Sequence, residues 1–359
     1  MKSCLEKAIR DFDPELSVEN SPTPPADWYT SPELFYWEKK SVFSDGWQII
    51  GRQDQISNPG DFLEGCFLSM PYLVYRNESG QLQGFHNVCP HHGGWLQPDP
   101  AQKEHLICSY HGWRFDSNGR LLKAPYAGGS AALKKEKPAL RPLRIQTWGP
   151  FILISFGDNP IAFEGKTHEE ELGTLGWESL KYLKTISYSL ECNWKVFVDN
   201  YLDGGYHVSV LHPDLAGNLD LNSYQNILYE NSSVQRCRGR SLGDQPNRVG
   251  GDAYYGWFYP NTMVNRYGKW LDLNRVIPTS EKTCDVIFDY FYEGDADEEA
   301  LQEDLRDSDQ VQREDILISE RVQKSMESGF FQTGFYAPKF EEPMYHFHRL
   351  LHSSFRRAL

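Results

Sequence analysis

The sequence predicts an α+β fold in which an all-β domain is inserted before a larger domain with a central antiparallel sheet. Three observations predict it. Short β-type segments separated by turns run from about Gly46 to Phe156, mixed β-type and helical segments follow, and the charged segment from about Asp297 to Glu327 has a helical pattern. Helices that flank an antiparallel sheet are typical of the α+β class.

The N-terminal part predicts a helical segment. The stretch SPTPPADWYTS predicts a turn, and the spacing of Phe35, Tyr36 and Phe43 after it predicts a helix that Ser31 caps. We expect residues 1–44 to form a helical segment that packs on the C-terminal domain. Residues 45–158 are then the all-β domain, and residues 159–359 are the C-terminal domain.

Seven segments predict the strands of the all-β domain, and the turn sequences NPG, NESGQ and DSNGR separate several of them. The segments are WQIIGR, DFLEGCFLSM, YLVYRN, LQGFHNV, HLICSYHGWRF, LRIQTW and FILISFG. The C-terminal domain begins with a predicted helix around Lys195 to Leu211. Its β-type segments are AYYGWFYPNTMVNRYG, KWLDLNRVIP and TCDVIFDYFYE, and HFHRLLHSSFRRAL predicts a last helix.

The composition argues against several classes of protein. A formal net charge of −14 repels nucleic acid and anionic membranes at long range, so we expect neither as a partner. No apolar run approaches the ~20 residues that cross a bilayer, and the N-terminal residues lack the features of a signal or transit peptide. We expect a cytoplasmic protein whose seven cysteines are reduced.

Cys89, His91, Cys108 and His111 form a metal-binding pattern in the predicted all-β domain. The pattern is C-x-H, sixteen intervening residues and C-x-x-H. A [2Fe-2S] cluster of the Rieske type has two cysteines on one iron and two histidines on the other. Because each loop here supplies one cysteine and one histidine, we interpret the pattern as a Rieske cluster site that relays electrons to a second site.

A structural zinc site is the alternative interpretation, since zinc also binds two cysteines and two histidines. Zinc sites more often use C-x-x-C and H-x(3–5)-H pairs, whereas each pair here mixes the two residue types. A zinc-stapled binding module without catalysis is therefore the competing hypothesis from a different functional class.

His207 and His212 indicate a second metal site. At ~100° per residue, five positions are about 140° out of phase, so both side chains reach one ion only if the helix bends or ends between them. Pro213 is consistent with such an ending. Two histidines and one carboxylate bind and activate O2 at non-haem Fe(II). Asp315 is the candidate carboxylate, although an aspartate on a charged helix taken alone favours a solvated position.

Both motifs together resemble the Rieske non-haem iron oxygenase α-subunit family. The segments DNYLDGGYHV, QREDILISERVQKSMES and YHFHRLLH are similar to its choline monooxygenase branch, and the resemblance extends from about Trp37 onward. It implies a helix-grip (START-like) catalytic domain with mononuclear Fe(II) held by His207, His212 and Asp315. It implies a [2Fe-2S] Rieske cluster held by Cys89, His91, Cys108 and His111.

The resemblance also implies the partners of the protein. They are O2, a small-molecule substrate, and a separate reductase or ferredoxin that donates electrons. It implies a homotrimer in which the cluster of one protomer serves the iron of its neighbour.

The sequence departs from the family pattern in two places. His92 stands where an arginine usually follows the C-x-H, and Gly204 stands where ring-hydroxylating members carry a bridging aspartate. Asp203 lies one helical turn before His207, and Asp199 lies two turns before it. Either is a candidate to accept the second N–H of the imidazole. Asp203 is the first choice, and simple exposure on the helix surface is the alternative.

The resemblance implies hydroxylation of choline to betaine aldehyde hydrate, or of a related trimethylammonium compound. A quaternary ammonium donates no hydrogen bond, so aromatic faces and an acid suit it. The aromatic residues from Tyr254 to Tyr259, with Tyr267 and Trp270, are a candidate cage, and core packing is the alternative for each. An aromatic-ring-hydroxylating oxygenase is the second hypothesis, and Gly204 counts against it.

Overall fold

The computed structural model describes residues 2–171, 176–177, 179–240, 251–295 and 297–359. The chain divides into two units. One unit is Phe43–Ile161, and the other combines Met1–Val42 with Ala162–Leu359. Antiparallel sheets and flanking helices make up the described residues, so the α+β prediction is confirmed.

The described residues form ten α-helices, numbered in chain order. They are α1 (Lys2–Arg10), α2 (Asp27–Thr30), α3 (Pro32–Ser41), α4 (Ala131–Glu136), α5 (Gly165–Glu171), α6 (Trp194–Tyr201), α7 (Val208–Leu211), α8 (Pro213–Asn218), α9 (Glu298–Glu327) and α10 (Glu342–Arg357).

The same residues form seventeen strands. They are β1 (Gln48–Arg52), β2 (Phe62–Phe67), β3 (Met70–Arg76), β4 (Leu82–His86), β5 (Leu96–Asp99), β6 (Gln102–Cys108), β7 (Arg114–Phe115), β8 (Leu121–Lys123), β9 (Arg144–Trp148), β10 (Phe151–Ser155), β11 (Leu180–Leu190), β12 (Leu219–Leu228), β13 (Ser232–Gly239), β14 (Asp252–Phe258), β15 (Thr262–Tyr267), β16 (Trp270–Pro278) and β17 (Cys284–Glu293).

The unit Phe43–Ile161 contains three small sheets with the strand orders β1-β10-β9, β2-β3-β4 and β5-β6-β7-β8. The predicted segments contain strands, and the sequence missed β5 and β8 because they are only four and three residues long. Cys89 and Cys108 belong to the apolar core of this unit together with Leu106, Trp113 and Phe115. Burying both thiols in the core fixes where their loops begin.

The other unit is built on a seven-stranded antiparallel sheet with the order β11-β17-β16-β15-β14-β13-β12. The sequence missed β11, β12 and β13 because polar residues interrupt the apolar alternation by which a strand is recognised. The strands from β14 to β17 were predicted, and most of their residues are buried.

Buried polar contacts fix the start of α6, the helix that leads into the second predicted metal site. Glu38 of α3 accepts hydrogen bonds from Trp194 Nε1 (2.9 Å) and from Lys195 Nζ (2.5 Å), and all three residues are buried. Ser31 caps α3 by accepting the Leu34 N–H at 3.2 Å, as predicted. Glu38 therefore joins α3 to the first residues of α6.

Within the described ranges, no helix combines the length and the apolar content that spanning a bilayer requires.

Two candidate metal sites and a cavity

Two loops with the same backbone geometry carry the first predicted site. In each loop the cysteine N–H donates to the carbonyl five residues later, and the amide four residues later donates back to the cysteine carbonyl, at 2.8 to 3.0 Å. Gly93 and Gly112 occupy that fourth position with φ of +76° and +67°, which favours glycine. The sequence therefore folds the segments after Cys89 and Cys108 into matching turns.

The four predicted ligands meet between these turns. The thiols of Cys89 and Cys108 are buried next to each other, and the rings of His91 and His111 have centroids 4.7 Å apart. Burial, and then the neighbouring Cys108 thiol, raise the pKa of Cys89 to about 11. His91 Nδ1 is buried, and no hydrogen-bond partner for it lies among the described residues.

These observations fit a metal cluster. A buried thiolate needs a nearby positive charge, and a buried imidazole nitrogen without a partner needs a ligand. An iron bound at this place satisfies both requirements. Gly94 is also constrained, because a Cβ there would lie 2.9 Å from Cys108 Sγ.

The environment of the histidines is aromatic and partly exposed. Trp113 stacks on His91 with centroids 4.5 Å apart, and Tyr110 lies against His111 at 3.8 Å with 65% of its surface exposed. His92, the departure from the family pattern, is exposed, and its ring lies 3.9 Å from that of His91. The histidine side of the site is therefore its accessible side.

The helix break required by the spacing of His207 and His212 is present in the structure. Helix α6 ends at Tyr201, and Gly204 and Gly205 follow with φ of +68° and +75°. The one-turn helix α7 then has His207 at its N-cap and His212 at its C-cap, and Pro213 starts α8. Both imidazoles consequently turn to the same side.

His207, His212 and Asp315 come together. Their candidate ligand atoms all lie within 4.8 Å of one another. Asp315 Oδ1 is 3.0 Å from His212 Nε2 and 3.8 Å from His207 Nε2. Two imidazoles and one carboxylate on one side of a cavity are the donor set of a non-haem iron(II) site that keeps positions free for O2 and substrate.

Acids hold both imidazoles in the tautomer that binds metal through Nε2. His207 Nδ1–H donates to Asp203 Oδ2 at 2.5 Å, and His212 Nδ1–H donates to Glu314 Oε2 at 2.6 Å. Asp203 therefore takes the position predicted for it. The sequence analysis missed Glu314, and it missed Asn200, whose amide donates to Asp315 Oδ1 at 2.8 Å.

Asp199, the second candidate, does not contact His207 in the described structure. Within the described part of the chain, its carboxylate accepts hydrogen bonds from Tyr29 (2.6 Å) and His348 (3.0 Å) rather than from His207. The prediction assumed that one helix continues from Asp199 to His207. Because α6 ends at Tyr201, the two residues do not share a helical face.

The structure gives a physical reason for Gly204. A Cβ at this position would lie 2.0 Å from the carbonyl oxygen of Phe340. That oxygen is held in place by a 2.8 Å hydrogen bond from Asn226 Nδ2. An aspartate at position 204 therefore requires a backbone shift.

A cavity of about 400 Å³ lies beside the three predicted iron ligands, which all line it. Among the described residues that line it there is no lysine or arginine. The aromatic lining residues are Phe197, Tyr201, Tyr224, Tyr255, Tyr267 and Phe288. The acidic lining residues are Asp203, Asp214, Asp272, Asp307, Glu314 and Asp315.

The predicted aromatic cage is present only in part. Tyr255 and Tyr267 line the cavity. Tyr254 and Phe258 point to the other face of the sheet, because side chains alternate along β14, and there they contact His168. The remaining predicted cage residues are buried and are not among the lining residues: Trp257, Tyr259 and Trp270.

Asp272 is a deeply buried acid of the cavity wall. In the described interactions it contacts neither of the two predicted histidine ligands. Only 2% of its surface is exposed. Its carboxylate accepts hydrogen bonds from Tyr267 Oη and Asn265 Nδ2, both at 2.7 Å. Burial, and then the charge of Asp272, raise the pKa of Tyr201, which donates to Asn265 at 2.7 Å. The sequence analysis missed Asp272 because the sequence of its strand, β16, has the pattern of a strand in the protein core.

Comparison with known proteins finds two family models that match this chain. Residues 46–139 match the family model of the Rieske [2Fe-2S] domain, and residues 177–354 match that of the ring hydroxylating alpha subunit (catalytic domain). Chloroplastic choline monooxygenase of Arabidopsis thaliana is 38% identical over 99% of this chain and 88% of that protein.

Two further similarities are more distant. The carnitine monooxygenase oxygenase subunit of Acinetobacter pittii (strain PHEA-2) is 26% identical over 91% of this chain and 90% of that protein. A solved structure of a quaternary ammonium Rieske monooxygenase is 23% identical with a TM-score of 0.78, over 97% of this chain and 98% of that chain. Because the identity is only 23%, this similarity supports the fold alone.

Proposed function

The chain belongs to the Rieske non-haem iron oxygenase α-subunit family, and from that premise we propose that it hydroxylates choline with O2 and externally supplied electrons. It is a Rieske-type monooxygenase whose cofactors are a [2Fe-2S] Rieske cluster and a mononuclear iron. The Rieske family match favours the iron–sulfur cluster over the zinc alternative.

We propose that Cys89, His91, Cys108 and His111 hold the cluster and that His207, His212 and Asp315 hold the iron. Two observations support these assignments: the described residues offer no hydrogen-bond partner to His91 Nδ1, and the three proposed iron ligands converge. Bound there, the cluster supplies electrons one at a time and the iron supplies O2 activation. Asp203 and Glu314 keep the two imidazoles oriented.

The observation that carries the substrate proposal is the charge of the cavity. Its wall contains six carboxylate side chains, while the described lining residues include no lysine or arginine. Such a wall attracts a cation and repels a carboxylate. Choline carries only the positive charge, whereas carnitine also carries a carboxylate, so the cavity favours choline.

The aromatic rings of the cavity suit the trimethylammonium group. Tyr201, Tyr224, Tyr255, Tyr267 and Phe288 surround space in which a cation can contact ring faces. Asp272 supplies a formal negative charge in the wall between Tyr267 and Asn265. An apolar aromatic substrate gains nothing from this charge, which disfavours the ring-hydroxylating alternative.

The proposed reaction balances as follows. Choline, O2, two electrons and two protons give betaine aldehyde hydrate and water. The chain binds and orients the cation in the cavity beside the three proposed iron ligands.

We further propose the organisation and partners of the protein. Residues 45–158 form the Rieske domain, and residues 159–359 form the catalytic domain on which residues 1–44 pack; the unit bounds of Phe43–Ile161 support this. A reductase or ferredoxin donates the electrons, and the oxygenase is a homotrimer, which sedimentation velocity tests. The cytoplasmic location stays a prediction, since the named plant relatives are chloroplastic.

The experiment is substrate-dependent O2 uptake by the reduced holoenzyme. Choline should stimulate uptake with one betaine aldehyde formed per O2, and L-carnitine should give less than choline at equal concentration. His207→Ala is the matched control, because it should abolish turnover while the visible spectrum of the cluster is unchanged. Uptake with carnitine but not with choline contradicts the choline proposal, and no response to any quaternary ammonium contradicts the substrate class.

A further inference from the structure

Two amide side chains of the cavity wall end in buried polar atoms that have no hydrogen-bond partner among the described residues. They are Asn274 Oδ1 and Gln312 Nε2, and each side chain lines the cavity with 3% of its surface exposed. No hydrogen-bond partner for either atom is found in the described chain. Buried polar atoms are nearly always hydrogen-bonded, so an unpaired donor and acceptor beside one cavity indicate a ligand.

The other amides of the cavity are already engaged, which sets these two apart. Five other described amides line the cavity, and each donates a hydrogen bond. Asn218 donates to the Asp214 carbonyl at 3.3 Å, and the remaining four donate over shorter distances. Asn200 donates to Asp315, Asn265 to Asp272, Gln235 to the Tyr201 carbonyl and Gln310 to Glu314, at 2.7 to 2.8 Å.

The positions of the two amides connect the charged wall with the iron site. Asn274 lies two residues after Asp272 on β16, so both side chains point to the same face of the sheet. Gln312 lies three residues before Asp315 on α9, so both point to the same side of the helix. The two amides therefore line the cavity from the same two elements that carry Asp272 and Asp315.

We infer that Asn274 and Gln312 recognise the hydroxyl group of the substrate. The substrate O–H donates to Asn274 Oδ1, and Gln312 Nε2–H donates to the hydroxyl oxygen. One acceptor and one donor are what an alcohol requires. This inference rests on the proposed function. It adds that the substrate hydroxyl, held by the two amides, determines which carbon of the cationic substrate faces the proposed iron ligands.

Selectivity follows from the same pairing. A trimethylammonium compound without the hydroxyl leaves both amide atoms buried and unpaired. Sites that hydrogen-bond a substrate hydroxyl therefore reject analogues that lack it. Asn274 and Gln312 are therefore specificity-determining residues. The charge of Asp272 attracts trimethylammonium compounds with and without the hydroxyl equally.

The experiment compares two cations of the same charge, choline and ethyltrimethylammonium, in calorimetric titrations of the iron-loaded, reduced holoenzyme without O2. The wild type should bind choline at least roughly tenfold more tightly. Asn274→Leu and Gln312→Met should each bring this ratio close to one. Asn274→Asp keeps the acceptor and should keep the preference for choline. Gln302→Met is the matched control, because Gln302 lies on the same helix and donates to Glu298 at the surface.

The outcomes separate this inference from the proposed function. Equal binding of the two cations by the wild type overturns hydroxyl recognition and leaves the quaternary ammonium proposal intact. Failure of both cations to bind overturns the proposed function itself. The visible spectrum and the melting temperature report folding of each variant. Each amide variant removes one of the two hydrogen-bonding groups, so one folded variant is enough for the test. If that variant keeps the wild-type ratio of choline affinity to ethyltrimethylammonium affinity, the inference is contradicted.

Discussion

Replacing Asp272 by asparagine removes the buried charge of the cavity wall and nearly preserves its shape. Asp272 is 2% exposed and faces the cavity between two neutral donors, Tyr267 and Asn265. With a separation of about 5 Å between the carboxylate and a bound cation, and an effective dielectric constant of about 20, the attraction is about 3 kcal/mol. Asp272→Asn should therefore weaken choline binding roughly a hundredfold.

A neutral isostere separates the lost charge from a structural change. The probe is 3,3-dimethylbutan-1-ol, in which carbon replaces the nitrogen of choline. The variant should bind this alcohol nearly as well as the wild type does, although the asparagine cannot accept both hydrogen bonds and costs about 1 kcal/mol of stability. Calorimetric titration of the holoenzyme measures both ligands.

A second variant controls for the general acidity of the cavity. Asp307 also lines the cavity but is exposed, so water screens its charge. Asp307→Asn should change choline binding by less than about fivefold. Equal losses for choline and for its neutral isostere in Asp272→Asn, or no loss for choline, would falsify the reasoning.

Three further predictions concern the metal sites and stability. Asp203→Asn should lower iron affinity roughly tenfold to a hundredfold, because His207 Nδ1–H loses its charged acceptor; metal titration measures this, and an unchanged affinity contradicts it. Gly94→Ala should abolish the visible cluster spectrum, because its Cβ meets Cys108 Sγ at 2.9 Å, whereas Gly128→Ala, with open space around it, should keep the spectrum. Burial lowers the pKa of His168 to about 3 from an ordinary 6.5. Its neutral form therefore stabilises the fold above pH 6.5, and about 2 kcal/mol should be lost by pH 5. Melting temperatures should fall less between pH 7.5 and pH 5 in His168→Gln than in the wild type, and an equal fall contradicts this assignment.

The cluster loops were predictable from the sequence because their geometry is local. Each loop closes on itself with hydrogen bonds that span four and five residues from Cys89 and from Cys108. The short spacing between the cysteine and the histidine of each loop is therefore enough to predict how these two residues are arranged. Glycine at the position with positive φ adds a second local signal.

The surroundings of the iron site were not predictable in the same way. Asp315 and Glu314 lie 103 and 102 residues from His212 along the chain. Only the packing of α9 brings them to it. Asp315 came from the resemblance alone, and Glu314 looks like any other acid of a charged helix. Asn274 and Gln312 are hidden for the same reason, because nothing in a single strand or helix shows which polar side chain meets a cavity.

The difference between Asp203 and Asp199 shows where helical periodicity stops being informative. Both residues have the spacing of one helical face with His207, yet only Asp203 contacts it. The two glycines after Asp203 end that periodicity, and the carbonyl of Phe340 leaves room for nothing larger at the first of them. The same turn allows His207 and His212 to bracket a single helical turn and face one ion. A longer continuous helix would align Asp199 with His207 but would separate the two imidazoles by about 140°. The chain therefore brings its two proposed iron ligands together by giving up the regular helix on which the prediction for Asp199 depended.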